Sequence, residues 1–138
     1  MSTSEPRRLR TPPRERFVGE TQPFDLERIF DRLANEAYPA IDGHHQITLF
    51  KSGTSTVMAF LFERDGYLPS HQADGVVTLQ VFEGRLKVNT PDEHHAVGPG
   101  GLLILRPGVA HEVHAEEPAK MIMTVHLRRS ASEFRSKT

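Results

Sequence analysis

The chain reads as an all-β protein, an antiparallel barrel or double-sheet jelly roll, with an N-terminal helical extension. Three observations predict this. From His45 onward, short runs of apolar and β-branched residues alternate with Gly, Pro and Asp punctuation. Upstream of them, one segment carries apolar residues at helical spacing. Finally, 138 residues with a hydrophobic fraction of 37% suffice for one buried core and leave little for a second.

Composition removes several function classes. There is no cysteine, so disulfides and thiolate chemistry are excluded. No apolar run approaches the ~18 residues of a membrane span, and the first residues lack the apolar stretch of a secretory signal. A cytoplasmic protein is the default expectation. The net charge of −1 hides an asymmetry. Arg7, Arg8, Arg10, Arg14 and Arg16 make one end basic, Arg128, Arg129, Arg135 and Lys137 the other, and the body between them is acidic. Solubility, or tails folding back on an acidic body, explains such ends. No aromatic interleaving and no recognition helix argue for a nucleic-acid partner.

The elements follow in order. Residues 1–20 are polar and proline-containing, and are expected to form a disordered basic tail. Residues 21–44 form the helical extension. Within it, 24–38 read as a helix, because Leu26, Ile29, Phe30, Leu33 and Ala37 share one face while Glu27, Arg28, Asp31, Arg32 and Glu36 share the other. Pro23 and Asp25 suit its start, and Pro39 its end. A lone amphipathic helix needs a partner surface, on the outside or open end of a barrel in its own subunit or a neighbour's. Residues 45–127 form the barrel, with strands expected at 45–51, 55–62, 76–82, 85–89, 95–97, 102–105, 110–115 and 120–127. Strands 76–82 and 85–89 are expected to form a hairpin across Glu83-Gly84. Residues 128–138 form a basic C-terminal tail.

The stretch from Gly66 to His114 is similar to the two motifs of the cupin superfamily of small β-barrels. The first motif runs from a glycine through His-x-His and Glu to a closing glycine. Here it reads Gly66, His71, Ala73, Val77 and Gly84. The second runs from a glycine through Pro-x-Gly and His to Asn. Here Gly100, Gly108 and His111 fall in place, Pro107 is displaced by one with Arg106 at the family position, and Ala115 replaces the Asn. The resemblance covers roughly residues 45–127 and leaves out the N-terminal helix. It implies a cupin-type barrel with a binding pocket. Cupins hold a divalent metal with motif histidines and a glutamate, and this chain keeps only His71 and His111 of that set. The resemblance therefore implies an incomplete metal site at His71 and His111, holding Zn, Ni, Fe or Mn weakly or nothing at all. Their motif positions also imply that both histidines point inward.

Alternation assigns the pocket walls. Counting by twos places Val77, Leu79 and Val81 inward with Thr78, Gln80 and Phe82 outward, and places Val113 on the same face as His111. The expected pocket is thus His71, Val77, Leu79, Val81, His111 and Val113, an apolar lining with two imidazoles that suits a small, partly apolar ligand. Either the two histidines share a metal, ligand or proton-transfer site, or they are neutral interior imidazoles bonded to backbone or to each other. A third donor would come from another inward strand, such as His45 or Gln46. The pairs His44-His45 and His94-His95 cannot chelate as units, because strand neighbours point to opposite faces. Asp74 and Glu83 read as turn residues, and Glu112 as outward-facing. No nucleophile elbow, phosphate loop or dinucleotide fingerprint is present.

The sequence therefore supports a cupin barrel that binds a small molecule, with any catalysis oxygenase- or isomerase-like and no catalytic residue assigned. The alternative is a non-catalytic sensing or binding module that has lost the metal site, and a third reading is an oligomerisation scaffold. The outward Phe82 and the unpartnered helix predict a homodimer. No membrane partner is expected.

Overall fold

The computed structural model describes residues 20–128. The segments expected as basic tails lie outside the described residues, apart from Glu20 and Arg128. Helix α1 covers Leu26–Asn35. The Asp25 side chain caps it by accepting from the Arg28 N–H at 3.3 Å. Glu27 in the first turn and Arg32 in the last complement the helix dipole. The helix is shorter than the expected 24–38 at both ends. Phe24 precedes the cap, and Glu36 turns into extended backbone so that its carboxylate meets His45 Nδ1 at 2.7 Å. Ala37, expected on the apolar face, is exposed.

Among the described residues nine strands follow: β1 His44–Ser52, β2 Ser55–Phe62, β3 Tyr67–His71, β4 Gly75–Glu83, β5 Leu86–Asn89, β6 His94–Val97, β7 Leu102–Leu105, β8 His111–Ala115 and β9 Ala119–Leu127. They pair antiparallel into a five-stranded sheet, β1-β2-β9-β4-β7, and a four-stranded sheet, β3-β8-β5-β6. The two sheets close face to face as a jelly roll. Two expectations are corrected. Strand β3 is missing from the sequence reading, because Gly66 precedes it, Pro69 interrupts it and only Leu68 along it is buried. And β4 and β5 do not form a hairpin: β4 pairs with β7 and β9, β5 with β6 and β8. Gly84, at φ +80°, lets the chain pass from one sheet to the other, and a Cβ there would run into the Pro118 carbonyl and Ala119.

The interior between the sheets holds Phe62, Leu79, Leu86, Val88, Val113 and Met121, all essentially inaccessible. The alternation in β4 is as expected, with Val77, Leu79 and Val81 buried and Gln80 and Phe82 exposed. A second apolar layer lies outside the five-stranded sheet. Phe30 and Leu33 of α1 pack on Ile47, Leu49, Ala59 and Ile122. The helix therefore finds its partner surface on its own barrel, which removes one of the two grounds for expecting a homodimer.

The closed end of the barrel contains His44. Its ring packs against both Phe60 and Phe62, with centroids at 5.7 and 5.6 Å. Nδ1 donates to the Tyr67 carbonyl at 3.1 Å, and the Gln46 side chain stands 3.0 Å from Nε2. Burial lowers its pKa below the ordinary 6.5, against smaller raising effects of Gln46, the Tyr67 carbonyl and Asp42. The neutral ring is thus favoured in the fold, and its contribution to stability is present above the unfolded pKa and lost as pH falls through the folded one. Denaturant midpoints should therefore drop between pH 7.5 and 5. The His44→Gln variant, uncharged throughout, should start less stable by about 1–3 kcal/mol and show a shallower decline. Equal pH slopes in parent and variant would contradict this assignment.

Candidate functional site

The opposite end of the barrel carries His71 and His111. Two loops converge there: residues 72–74 lead from β3 into β4, and 106–110 lead from β7 into β8. The Gly108 N–H donates to the Ala73 carbonyl at 2.8 Å and ties them together. Arg128, just after β9, fastens the same rim. Its N–H donates to the Asp74 carbonyl at 2.8 Å, and its guanidinium, through Nε at 2.7 Å and Nη2, holds the Asp74 carboxylate. Asp74 is more than the turn former expected from Ala-Asp-Gly. Arg128 sits in what read as a tail, so nothing in the sequence pointed to this latch.

A register shift between Leu68 and His71 brings the two histidines opposite each other across β3 and β8. Strict alternation from the buried Leu68 would send His71 to the outer face. The bulge re-aims it onto the face of His111. The rings meet at a centroid distance of 4.3 Å and a tilt of 57°.

Each ring is oriented in the same way. His71 Nδ1 lies 3.0 Å from the Pro69 carbonyl, and His111 Nδ1 lies 3.0 Å from the Val109 carbonyl. A carbonyl only accepts, so Nδ1 carries the proton in both neutral rings, and Nε2 of both is left as a lone pair. The two differ in burial. His71 is exposed, whereas His111 is only 1% exposed and its Nε2 is buried without a hydrogen-bond partner. Burial lowers the His111 pKa, the Val109 carbonyl partly offsets this, and His71 lowers it further. His111 is therefore a neutral acceptor at neutral pH.

The surroundings are apolar. Val77, Leu79, Val81 and Val113 are at most 2% exposed and belong to the core that His111 adjoins. Val77 and Val113 sit at the histidine end, whereas Leu79 and Val81 lie progressively deeper. Met58, Ala73, Val109 and Val125 pack against the same core but remain partly accessible. At the other end Phe62, Ala115, Ala119 and Met121 are sealed. The barrel is thus looser at the histidine end. The sequence reading missed Val109, Val125 and Met58, since one lies in a turn and the facing of the others was not assigned.

The remaining histidines lie elsewhere. His45 faces the helix and pairs with Glu36, so it is not a third donor, and Gln46 stands beside His44. His94 contacts Asn89 at 2.7 Å and His95 contacts Glu93 at 3.2 Å, both on the β6 edge. His114 lies 3.5 Å from Asp65, and His126 2.8 Å from Ser55 Oγ. Among the described residues no group of three or more His, Asp or Glu is placed to hold a metal ion. At the positions where cupins supply further ligands, Ala73 and Val77 have no donor atom. The tautomers of His71 and His111 suit a metal, but the donor set does not fit a resident ion.

Comparison with known proteins agrees with this fold. No curated protein matches the chain. Solved structures match in fold. A cupin superfamily protein from Desulfitobacterium hafniense is 14% identical, with 88% of this chain and 99% of that one covered and a TM-score of 0.62. An RmlC-like cupin from Shewanella frigidimarina is 18% identical, covering 64% and 80%, with a TM-score of 0.59. Salicylate 1,2-dioxygenase from Pseudoaminobacter salicylatoxidans, solved as adducts with gentisate, is 18% identical over 73% of this chain and 31% of that one, with a TM-score of 0.62. The family model of the AraC-like ligand binding domain matches residues 60–128, from the middle of β2 to the Arg128 latch. With both motifs, strands β3 to β9 and the histidine-bearing end inside that match, the chain belongs to the AraC-like ligand-binding-domain family of the cupin superfamily.

Proposed function

We propose that this protein is a non-catalytic binding module of the cytoplasm, which holds a small organic molecule at the histidine end of its barrel. The observation that carries this reading is the His71–His111 pair, two imidazoles pinned in one tautomer beside a partly accessible apolar ring. Val77 and Val113 form the inner wall of the proposed pocket, and Leu79 and Val81 its floor. Family membership supports ligand binding in general. Binding is favoured over turnover because the pair has no third donor group among the described residues and one of its two imidazoles is shielded from water. A second reading rests on the two Nε2 atoms, which would hold a divalent ion, Zn, Ni, Fe or Mn, weakly and not as a resident cofactor.

Methyl and imidazole NMR with indole and cyclohexanol as probes tests the main reading. The expected perturbations fall on His71, Val77, Val109 and Val125. Ala73→Trp, which fills the rim from a half-buried position, should weaken them at least about tenfold in a folded protein. Perturbations confined to the outer faces, or unchanged by Ala73→Trp, would contradict it.

The same proposal includes self-association. Val76, Phe82, Leu102 and Ile104 are exposed on β4 and β7, with Leu102 and Ile104 each at 60%. Strand β7 is a sheet edge, reads Leu-Leu-Ile-Leu, and carries neither charge nor proline to guard it. Paired antiparallel with its own copy about Leu103, it would set Leu102 opposite Ile104 and cover both. Light scattering at tens of micromolar should give a dimer for the parent and a folded monomer for Ile104→Arg. A monomeric parent, or a dimer indifferent to the substitution, would refute this interface.

A further inference from the structure

We infer that the molecule bound at the histidine end is a neutral hydrogen-bond donor, of the phenol or alcohol class, and not an anion. The inference rests on the proposed pocket and specifies its ligand. Nδ1 of both rings is committed to a backbone carbonyl, so the polar atoms that His71 and His111 leave for a ligand are two Nε2 lone pairs. Both accept and neither donates. His111 Nε2 is buried and unpartnered, which is costly unless some state of the protein supplies a donor.

The neighbours offer no charge to an anion. Met58, Ala73, Val77, Val109 and Val125 are all apolar. Of the nearby cations, Arg128 is held by Asp74, and Arg106 is exposed, one position after the inward Leu105. A carboxylate here would face the His111 lone pair and an apolar wall, whereas a hydroxyl would donate to that lone pair. His71 is the movable partner. It is exposed and held by one hydrogen bond, and its ring leans on His111. Turning it aside opens His111 Nε2 to the hydroxyl, after which His71 Nε2 is a second acceptor.

Three probes of similar size separate the outcomes: phenol, anisole and benzoate, titrated into the full chain at pH 7.5 and followed on the His71 and His111 ring signals. Phenol should bind about five- to tenfold more tightly than anisole, the increment of one hydrogen bond, and benzoate should bind more weakly than phenol. His111→Phe keeps a ring and removes the lone pair, so it should erase the phenol preference. If that variant does not fold, the three-probe ranking in the parent decides by itself. Anisole equal to phenol, or benzoate tighter than phenol, overturns the donor assignment while leaving a pocket in place. If none of the three moves either ring signal, the pocket itself fails, and the inference with it.

Discussion

The apolar seam between the two sheets is the interaction on which everything else in this molecule depends. Val77, Leu79 and Val81 of β4 face Leu86, Val88, Val113 and Ala115 of the opposing sheet, and Met121 and Met123 of β9 complete the layer. These side chains bury nearly all their surface, at roughly 25 cal/mol for each Å² of apolar area. The seam has a chemical gradient along its length. At one end large aromatic rings, Phe60 and Phe62, seal it around His44. At the other, smaller side chains and the two tied loops leave it looser. The histidine pair sits where packing thins out, so its environment is apolar without being fully closed.

The outer layer is built on the same constraint. Once β2 and β9 place Phe60 and Met121 inward, alternation sends Ala59 and Ile122 outward. Those residues would face water without α1. The helix covers them with Phe30 and Leu33, and Glu36 fastens its end to His45. Lys120 adds a further tie, at 3.0 Å from Glu83 and 5.8 Å from the Phe30 ring. Toward β7 the same face is less covered among the described residues: the Phe30 ring reaches Phe82 at 6.3 Å, but Leu102 and Ile104 stay exposed. That difference between two halves of one face separates what the helix stabilises from what is left for a partner.

Much of the fold was legible in the sequence because alternation and punctuation are local signals. The bounds of β2 and β7 and the facing of β4 follow from them directly. Strand β3 was not legible. Pro69 and Gly66 look like loop, and its pairing with β8 is a long-range event. The β4–β5 hairpin was misread because Glu-Gly between two strands signals a tight turn, while Gly84 serves a crossing between sheets. At the site, the identities of His71 and His111 were legible from the glycine pattern around them. Their tautomers were not, since those depend on the Pro69 and Val109 carbonyls, two residues back in a bulged strand and in a turn. The bulge that turns His71 toward His111 leaves no mark on the sequence either.

The central claim is that the Pro69 and Val109 carbonyls hold the proton on Nδ1 of His71 and His111, which leaves His111 Nε2 as a buried lone pair. Long-range nitrogen–proton correlation NMR of the imidazole rings at pH 7.5 measures this directly. The account predicts a protonated Nδ1 on both rings and an unprotonated Nε2 on His111. An unprotonated Nδ1 on either ring, or a proton on His111 Nε2, would contradict it.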